Sequence, residues 1–251
     1  MPSDNANILS VTSATKNYGG VSHNNFVSSV NSQGQAYSYT YTPSTGTSFD
    51  PRSQFSRVVV TGPSNYKRTV DLKVTGGANK RSMITADTDS LGNKTQYSYI
   101  GNRVHTVTHP QGNKEIYTYD ALGNITTKTL KAKPGSGQND IVQSAVYDIY
   151  NCTKLQCFRP TSMTDANGKT TYYTFAPPGG MLTKLEPQDD KGRRRLTTNT
   201  WVKINGHDRL QSTSVCDQAI CGGGSTEEQV TKYTYWGNTS LPATVTKTNA
   251  A

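Results

Sequence analysis

The chain has 251 residues, a net charge of +9 from 26 Lys and Arg against 17 Asp and Glu, and an aromatic content carried by 15 Tyr with 5 Phe and 2 Trp. About 41% of it is apolar when glycine is counted, below the roughly 45–50% of globular domains, and the mean hydropathy is −0.67. This inventory excludes a large dry core, and no run approaches the roughly 18 apolar residues of a membrane-spanning helix.

In chain order, Met1 to Asn7 has neither a positive region nor an apolar one, so no signal peptide is expected in this segment. Residues 1–80 are expected to be a divergent β region or an N-terminal cap, and 81–251 a repeat region. One match to the repeat falls in the first part, where Gly34 has Tyr39 and Tyr41 at its fifth and seventh positions. The clear copies follow: Gly92-Asn93-Lys94 with Tyr97 and Tyr99, Gly112-Asn113-Lys114 with Tyr117 and Tyr119, and Gly168-Lys169-Thr170 with Tyr173 and Phe175. Gly-Asn is expected to supply the positive φ of tight hairpin turns. Alternation of large aromatic with small polar residues then places both rings on one face of a strand. Residues 103–108 and 124–129 are rich in the β-favouring types Thr, Val and Ile. No stretch shows the spacing of a helix. Self-similarity of this kind marks a repeat architecture, in which each unit buries its apolar face by stacking on its neighbours.

His105 and His109 are four apart, but on a strand their rings stand roughly 13 Å apart and cannot share one ion. His109, followed by Pro110, reads as a turn-flanking residue. Asp87, Asp89, Asp120, Asp148 and Asp165 are expected at turn entries, where a carboxylate bonds its own backbone. There is no Gly-x-Ser-x-Gly elbow, no His-Glu-x-x-His and no phosphate loop. Neither enzyme activity, metal nor cofactor is expected.

The cysteines form two pairs of equal spacing, Cys152 with Cys157 and Cys216 with Cys221. Two local disulfides, one four-thiolate zinc site and free thiols all remain open; disulfides would imply an oxidising compartment. Lys191-Gly192-Arg193-Arg194-Arg195 is the sharpest basic run and a candidate anion site. Asp189 and Asp190 precede it directly, so a turn on a solvated rim is the competing reading. Trp201 alone is too little aromatic surface near this run for nucleic-acid binding. Gly222 to Gly224 read as a flexible linker. The Asn-x-Thr/Ser sequons at Asn93, Asn124, Asn151 and Asn238 double as turn residues.

Tyr119-Asp120-Ala121-Leu122-Gly123-Asn124 matches the Tyr-Asp-x-x-Gly-Asn core of the YD repeats of bacterial Rhs proteins, toxin-complex C subunits and teneurin ectodomains. Residues 81–251 resemble this family, with 159–169 similar to an Rhs segment between two repeats and a weaker relative at 232–238. Tyr99 is followed by Ile100 and Tyr147-Asp148 by Ile149-Tyr150-Asn151, so most units depart from the complete core. The resemblance implies an all-β antiparallel sheet of successive hairpins, strongly twisted and curling as a segment of a β-shell. It implies structural roles for Gly92, Tyr97, Tyr99, Gly112, Tyr117, Tyr119, Asp120, Gly123, Asn124, Gly168 and Tyr173. By the same resemblance the chain is expected to be an internal piece of a longer secreted or cell-surface bacterial protein. Its partners would be the remainder of that parent chain and an enclosed C-terminal effector. The alternative is an extracellular carbohydrate-binding or adhesion module with glycan partners. No nucleic-acid partner and no membrane span are expected.

Overall fold

A computed structural model describes residues 10–18, 21–32, 34–43, 55–74, 82–177, 180–219, 221 and 228–249. The protein is all-β. Among the described residues eighteen antiparallel strands belong to one sheet. The sequence expectation of successive hairpins therefore holds. The helical element among the described residues is a single 3-10 turn at Lys154–Phe158. Among the described residues no helix is long and apolar enough to cross a membrane.

The chain divides into two compact units. The first comprises Met1–Ile116 with Lys131–Asn139. It holds β1 (Ser10–Tyr18), β2 (Val21–Ser32), β3 (Gln35–Pro43), β4 (Phe55–Thr61), β5 (Lys67–Val74), β6 (Ser82–Thr88), β7 (Lys94–Ile100), β8 (Arg103–Thr108) and the start of β9 (Lys114–Tyr119). The residues of 1–80 that the structure describes thus form five strands. Ion pairs tie Arg57 to Asp71 across β4 and β5, and Arg68 to Asp87 across β5 and β6. Gly62 is required where it stands, because a Cβ there would lie 2.5 Å from the ring of Tyr37.

The second unit comprises Tyr117–Leu130 and Asp140–Ala251. It holds the end of β9, then β10 (Ile125–Lys131, its last residue excepted), β11 (Ile141–Val146), β12 (Ser162–Thr164), β13 (Thr170–Ala176), β14 (Gly180–Leu185), β15 (Arg195–Ile204), β16 (His207–Asp217), β17 (Gln229–Tyr235) and β18 (Pro242–Asn249).

In both units there are strands that alternate as a two-faced sheet requires, β7 in the first and β17 over Lys232 to Tyr235 in the second. Along β7, Thr95, Tyr97 and Tyr99 are half-buried while Gln96 and Ser98 are exposed. The more solvated positions carry cross-strand hydroxyl pairs, including Thr118 with Thr126, Thr174 with Thr183 and Thr234 with Thr244, at 2.7 to 2.8 Å. Such pairs stabilise a sheet by a few tenths of a kcal/mol to about 1 kcal/mol each. Among the described residues only Ala86, Cys216 and Asn199 are buried. The tyrosine face is shielded without being enclosed.

Candidate functional site

One chain reversal recurs five times. At Asp89, Asp120, Asp165 and Asp189 the Asp N–H donates to the carbonyl four residues on, and the glycine three residues on donates back to the Asp carbonyl, at 2.9 to 3.1 Å. His109 opens the fifth in the same way, to Asn113 and from Gly112. The glycines Gly92, Gly112, Gly123, Gly168 and Gly192 have φ between +75° and +93°. This is a type I turn followed by one left-handed residue, a three-residue hairpin loop. The sequence expectation of a tight Gly-Asn turn is corrected in one respect: Asn93, Asn113 and Asn124 after their glycines are not left-handed. The side chains of Asn93 and Asn124 act instead.

Asp120 shows the full device. One carboxylate oxygen accepts from the N–H groups of Leu122, Gly123 and Asn124 at 2.8 to 2.9 Å, and the other from Asn124 Nδ2 at 2.7 Å. Burial acts to raise the Asp120 pKa and is the largest single influence, yet the bonds from Asn124, Gly123 and Leu122 together hold it below the usual value. Asp89 repeats the arrangement with Leu91 N, Asn93 N and Asn93 Nδ2, all at 2.9 Å. The Asn93 side chain leads in lowering its pKa. Asp165 accepts from Asn167 N and Lys169 N.

Asp189 accepts from Lys191 N and Arg193 N, and Arg193 takes the place of the Asn with an ion pair at 3.1 Å. The backbone bond from Arg193 is the main cause of its lowered pKa. Asp148 begins a variant, bonded by Tyr150 N and Asn151 N. Asp87, expected at a turn entry, is instead a strand residue on β6. Its carboxylate faces Arg68, because the turn capped by Asp89 begins two residues later.

A second recurring feature was invisible in the sequence. Against the strand before it, each of β2, β6, β14 and β16 carries an extra residue near one end of its pairing with the next strand, Ser28, Thr85, Leu182 and Gln211 respectively. The register with the following strand stops just beside that residue, at Ser29, Ala86, Thr183 and Ser212. A bulge disrupts the ladder and turns backbone groups away from their partners. The carbonyl immediately before each extra residue is then met by an aromatic donor from the following strand. Tyr41 Oη reaches Val27 O at 2.8 Å, Tyr99 reaches Ile84 O at 2.6 Å, Tyr235 reaches Leu210 O at 2.6 Å, and Trp201 Nε1 reaches Met181 O at 3.0 Å. The three tyrosines are the second aromatic of their Tyr-x-Tyr pairs. Trp201 passes over Gly180, where a Cβ would lie 3.0 Å from the indole.

Both cysteine pairs are disulfides, with Cα separations of 5.1 and 5.4 Å. Cys152–Cys157 closes a loop around the 3-10 turn. Asn124 Nδ2 donates to Cys157 O at 2.8 Å, Gln156 Nε2 donates to Phe175 O at 3.1 Å, and Arg159 lies 5.6 Å over the Phe175 ring. The structure thus gathers Asp120, Gly123, Asn124 and Cys157 into one network. Tyr173 stacks with Phe175 at 6.3 Å, and Tyr117 lies under Lys128 at 5.6 Å. Tyr97 stands on β7 beside Tyr99 on the same half-buried face.

Arg193, Arg194 and Arg195 line a cleft of about 550 Å³, but Glu186, Asp189 and Asp217 line it with them. Arg194 bonds Glu186 O at 2.9 Å and lies 5.4 Å over the Tyr172 ring. Among the described residues no Tyr or Trp lines the cleft, and Trp236 is exposed in the loop after β17. Among the described residues no group of three or more His, Cys, Asp or Glu could hold a metal ion. The glycine run at 222–224 and Met1 to Asn7 lie outside the described residues.

No protein-family profile matches this sequence, and no curated protein does. Among solved structures, TcdB2-TccC3 without its hypervariable C-terminal region aligns over 95% of this chain at 13% identity and a TM-score of 0.34. TcdB2-TccC3-TEV aligns over 88% at 14% identity and 0.31, and a mutant Tc holotoxin pore of Photorhabdus luminescens over 82% at 11% and 0.27. This chain spans 14 to 15% of the length of those chains.

Proposed function

We propose that this chain is a non-catalytic wall segment of a YD-repeat shell whose parent polypeptide encloses or presents a toxin or effector. The observation that carries the reading is the recurrence of one loop and one aromatic anchor on a sheet with almost no enclosed core. The carboxylates of Asp89, Asp120, Asp165 and Asp189 each hold a turn, and the hydroxyls of Tyr41, Tyr99 and Tyr235 each hold a strand. Groups engaged in this way serve architecture. A sheet that shields its aromatic face only halfway gains stability when further repeats or a cargo cover that face. The partners are accordingly the rest of the parent chain and its effector. The disulfides suit an exported bacterial protein. The arginine cleft, with balanced charge and no stacking ring, gives a glycan reading no comparable support.

The test is electron microscopy of the natural gene product at full length, together with its intact mass. The expected result is a chain several times longer than this segment forming a hollow particle with these strands in its wall. A particle without an internal cavity overturns the reading.

A further inference from the structure

We propose that the Cys152–Cys157 disulfide is a reducible clasp that fastens two neighbouring ends of the sheet and releases them when it meets a dithiol reductant. The turn from β9 to β10 needs only the Asp120 loop, whereas fifteen residues, 147–161, join Val146 to Ser162, which are paired across β11 and β12. From the disulfide ring within this connection two bonds reach outward. Cys157 O accepts from Asn124 in the Asp120 loop, and Gln156 donates to Phe175 O near the end of β13. Gln156 is itself held by Thr153, whose N–H and hydroxyl both donate to its Oε1 at 3.1 and 2.8 Å. The donor and the acceptor that join the two ends are therefore neighbours inside the disulfide ring.

Beyond the ring, Arg159 over Phe175 and the bonds of Thr161 to Val146 O and from Tyr173 N–H hold only the C-terminal end of the connection. Tyr150, Leu155 and Phe158 are 90%, 59% and 58% exposed, so the large apolar side chains around the ring bury little surface. The other disulfide is a contrast. Cys216 is 4% exposed and lies within the continuous register of β15 and β16, opposite Leu196, so the ladder positions it whether or not it is bonded to Cys221. Thiol–disulfide exchange also needs access, which favours Cys152–Cys157.

In the release step a thiolate of the dithiol attacks one sulfur of Cys152–Cys157, forming a mixed disulfide and expelling the other cysteine as a thiolate. The second thiol of the reductant then displaces the first cysteine. The protein disulfide gains two electrons and, with two protons, becomes two thiols, while the dithiol is oxidised to its own disulfide. A protein carried from an oxidising exterior into a reducing compartment would lose the clasp there. The inference stands whether or not the chain belongs to a shell.

The experiment is hydrogen exchange with mass readout on the full chain, oxidised and after dithiothreitol, alongside the C152A/C157A and C216A/C221A double variants. Reduction and C152A/C157A are expected to speed exchange about tenfold or more over residues 121–124 and 153–161, with β15 and β16 unchanged. Gln156→Ala, disulfide intact, is expected to speed exchange over 153–159 without reductant. Three results overturn the proposal: no change over these residues on reduction, loss of protection throughout the chain, or the same local effect from C216A/C221A.

Discussion

Two reversals in the second unit, the Asp120–Asn124 loop and the Asn205-Gly206 turn, are built by different chemistry. Between Ile204 and His207 both central residues are left-handed, Asn205 at φ +50° and Gly206 at +78°. That is the two-residue hairpin whose twist matches its strands, and its stability resides in backbone conformation. In the Asp120 loop only Gly123 is left-handed, at +93°. A carboxylate collects three N–H groups and an amide, so stability resides in one side chain. A loop of the second kind can be linked to its surroundings, as Asn124 shows by bonding both Asp120 and Cys157. The difference predicts opposite sensitivities to mutation.

The largest effect is expected at the carboxylate. Asp120→Ala removes the acceptor of four bonds and is expected to destabilise the second unit by about 2 kcal/mol, in line with the loss of a strong capping side chain. Urea unfolding measures it, and exchange at the 153–161 connection should rise as well because Asn124 loses its orientation. Asn205→Ala tests the other side. No side-chain bond of the turn is removed, so the expected loss is about 1 kcal/mol, from placing Ala in the left-handed region. If Asn205→Ala proves the more damaging, the two turns do not differ as described.

Much of this was legible in the sequence, and the reasons for the remainder are physical. Alternation in Tyr97-Ser98-Tyr99 and the glycines at 92, 112, 123 and 168 reveal strands and reversals because both are local properties of a few residues. The Asp189 loop was hidden, since Arg193 stands where other copies have Asn or Lys and the run reads as a basic patch. The seventh position after Gly192 holds Asn199 in place of an aromatic. Asn199 is buried, bonded to Met181 O and Thr213 Oγ1. The aromatic anchors depend on strand register and on a single extra residue in the preceding strand, and a register is a relation between distant segments. No pattern in Trp201 announces that its N–H will meet Met181 O.

The anchors offer a smaller test. Tyr235→Phe keeps the ring and removes only the hydroxyl bond to Leu210 O, so a loss of about 1 kcal/mol is expected, the net value of one hydrogen bond. Tyr233, the first aromatic of the same pair, has no such bond among the described residues, and Tyr233→Phe is expected to stay within about 0.5 kcal/mol of the parent. Equal effects from the two substitutions would show that the rings matter and the hydroxyl does not.

The smallest effect is with pH, and it separates the two kinds of turn again. The carboxylates of Asp89, Asp120 and Asp189 have folded pKa values below the ordinary one, which in unfolded chains is about 3.9. A depressed folded pKa means that the ionised form binds its donors better in the folded state. The contribution is present in full above the unfolded pKa and disappears as pH falls through the lower folded values. Loop protection should therefore be flat from neutral pH to about pH 5 and fall only below about pH 4. The reversal at Gly101, left-handed at +57° and with no acidic residue from Ile100 to Arg103, supplies the reference. Amide exchange at Gly92, corrected for the intrinsic pH dependence of exchange, should accelerate relative to Gly101 as the solution is acidified from pH 5 to 2. Because Asp89 is well exposed to solvent, the change is expected to be modest; parallel behaviour of the two amides would mean that the turn's backbone bonds hold it without the carboxylate.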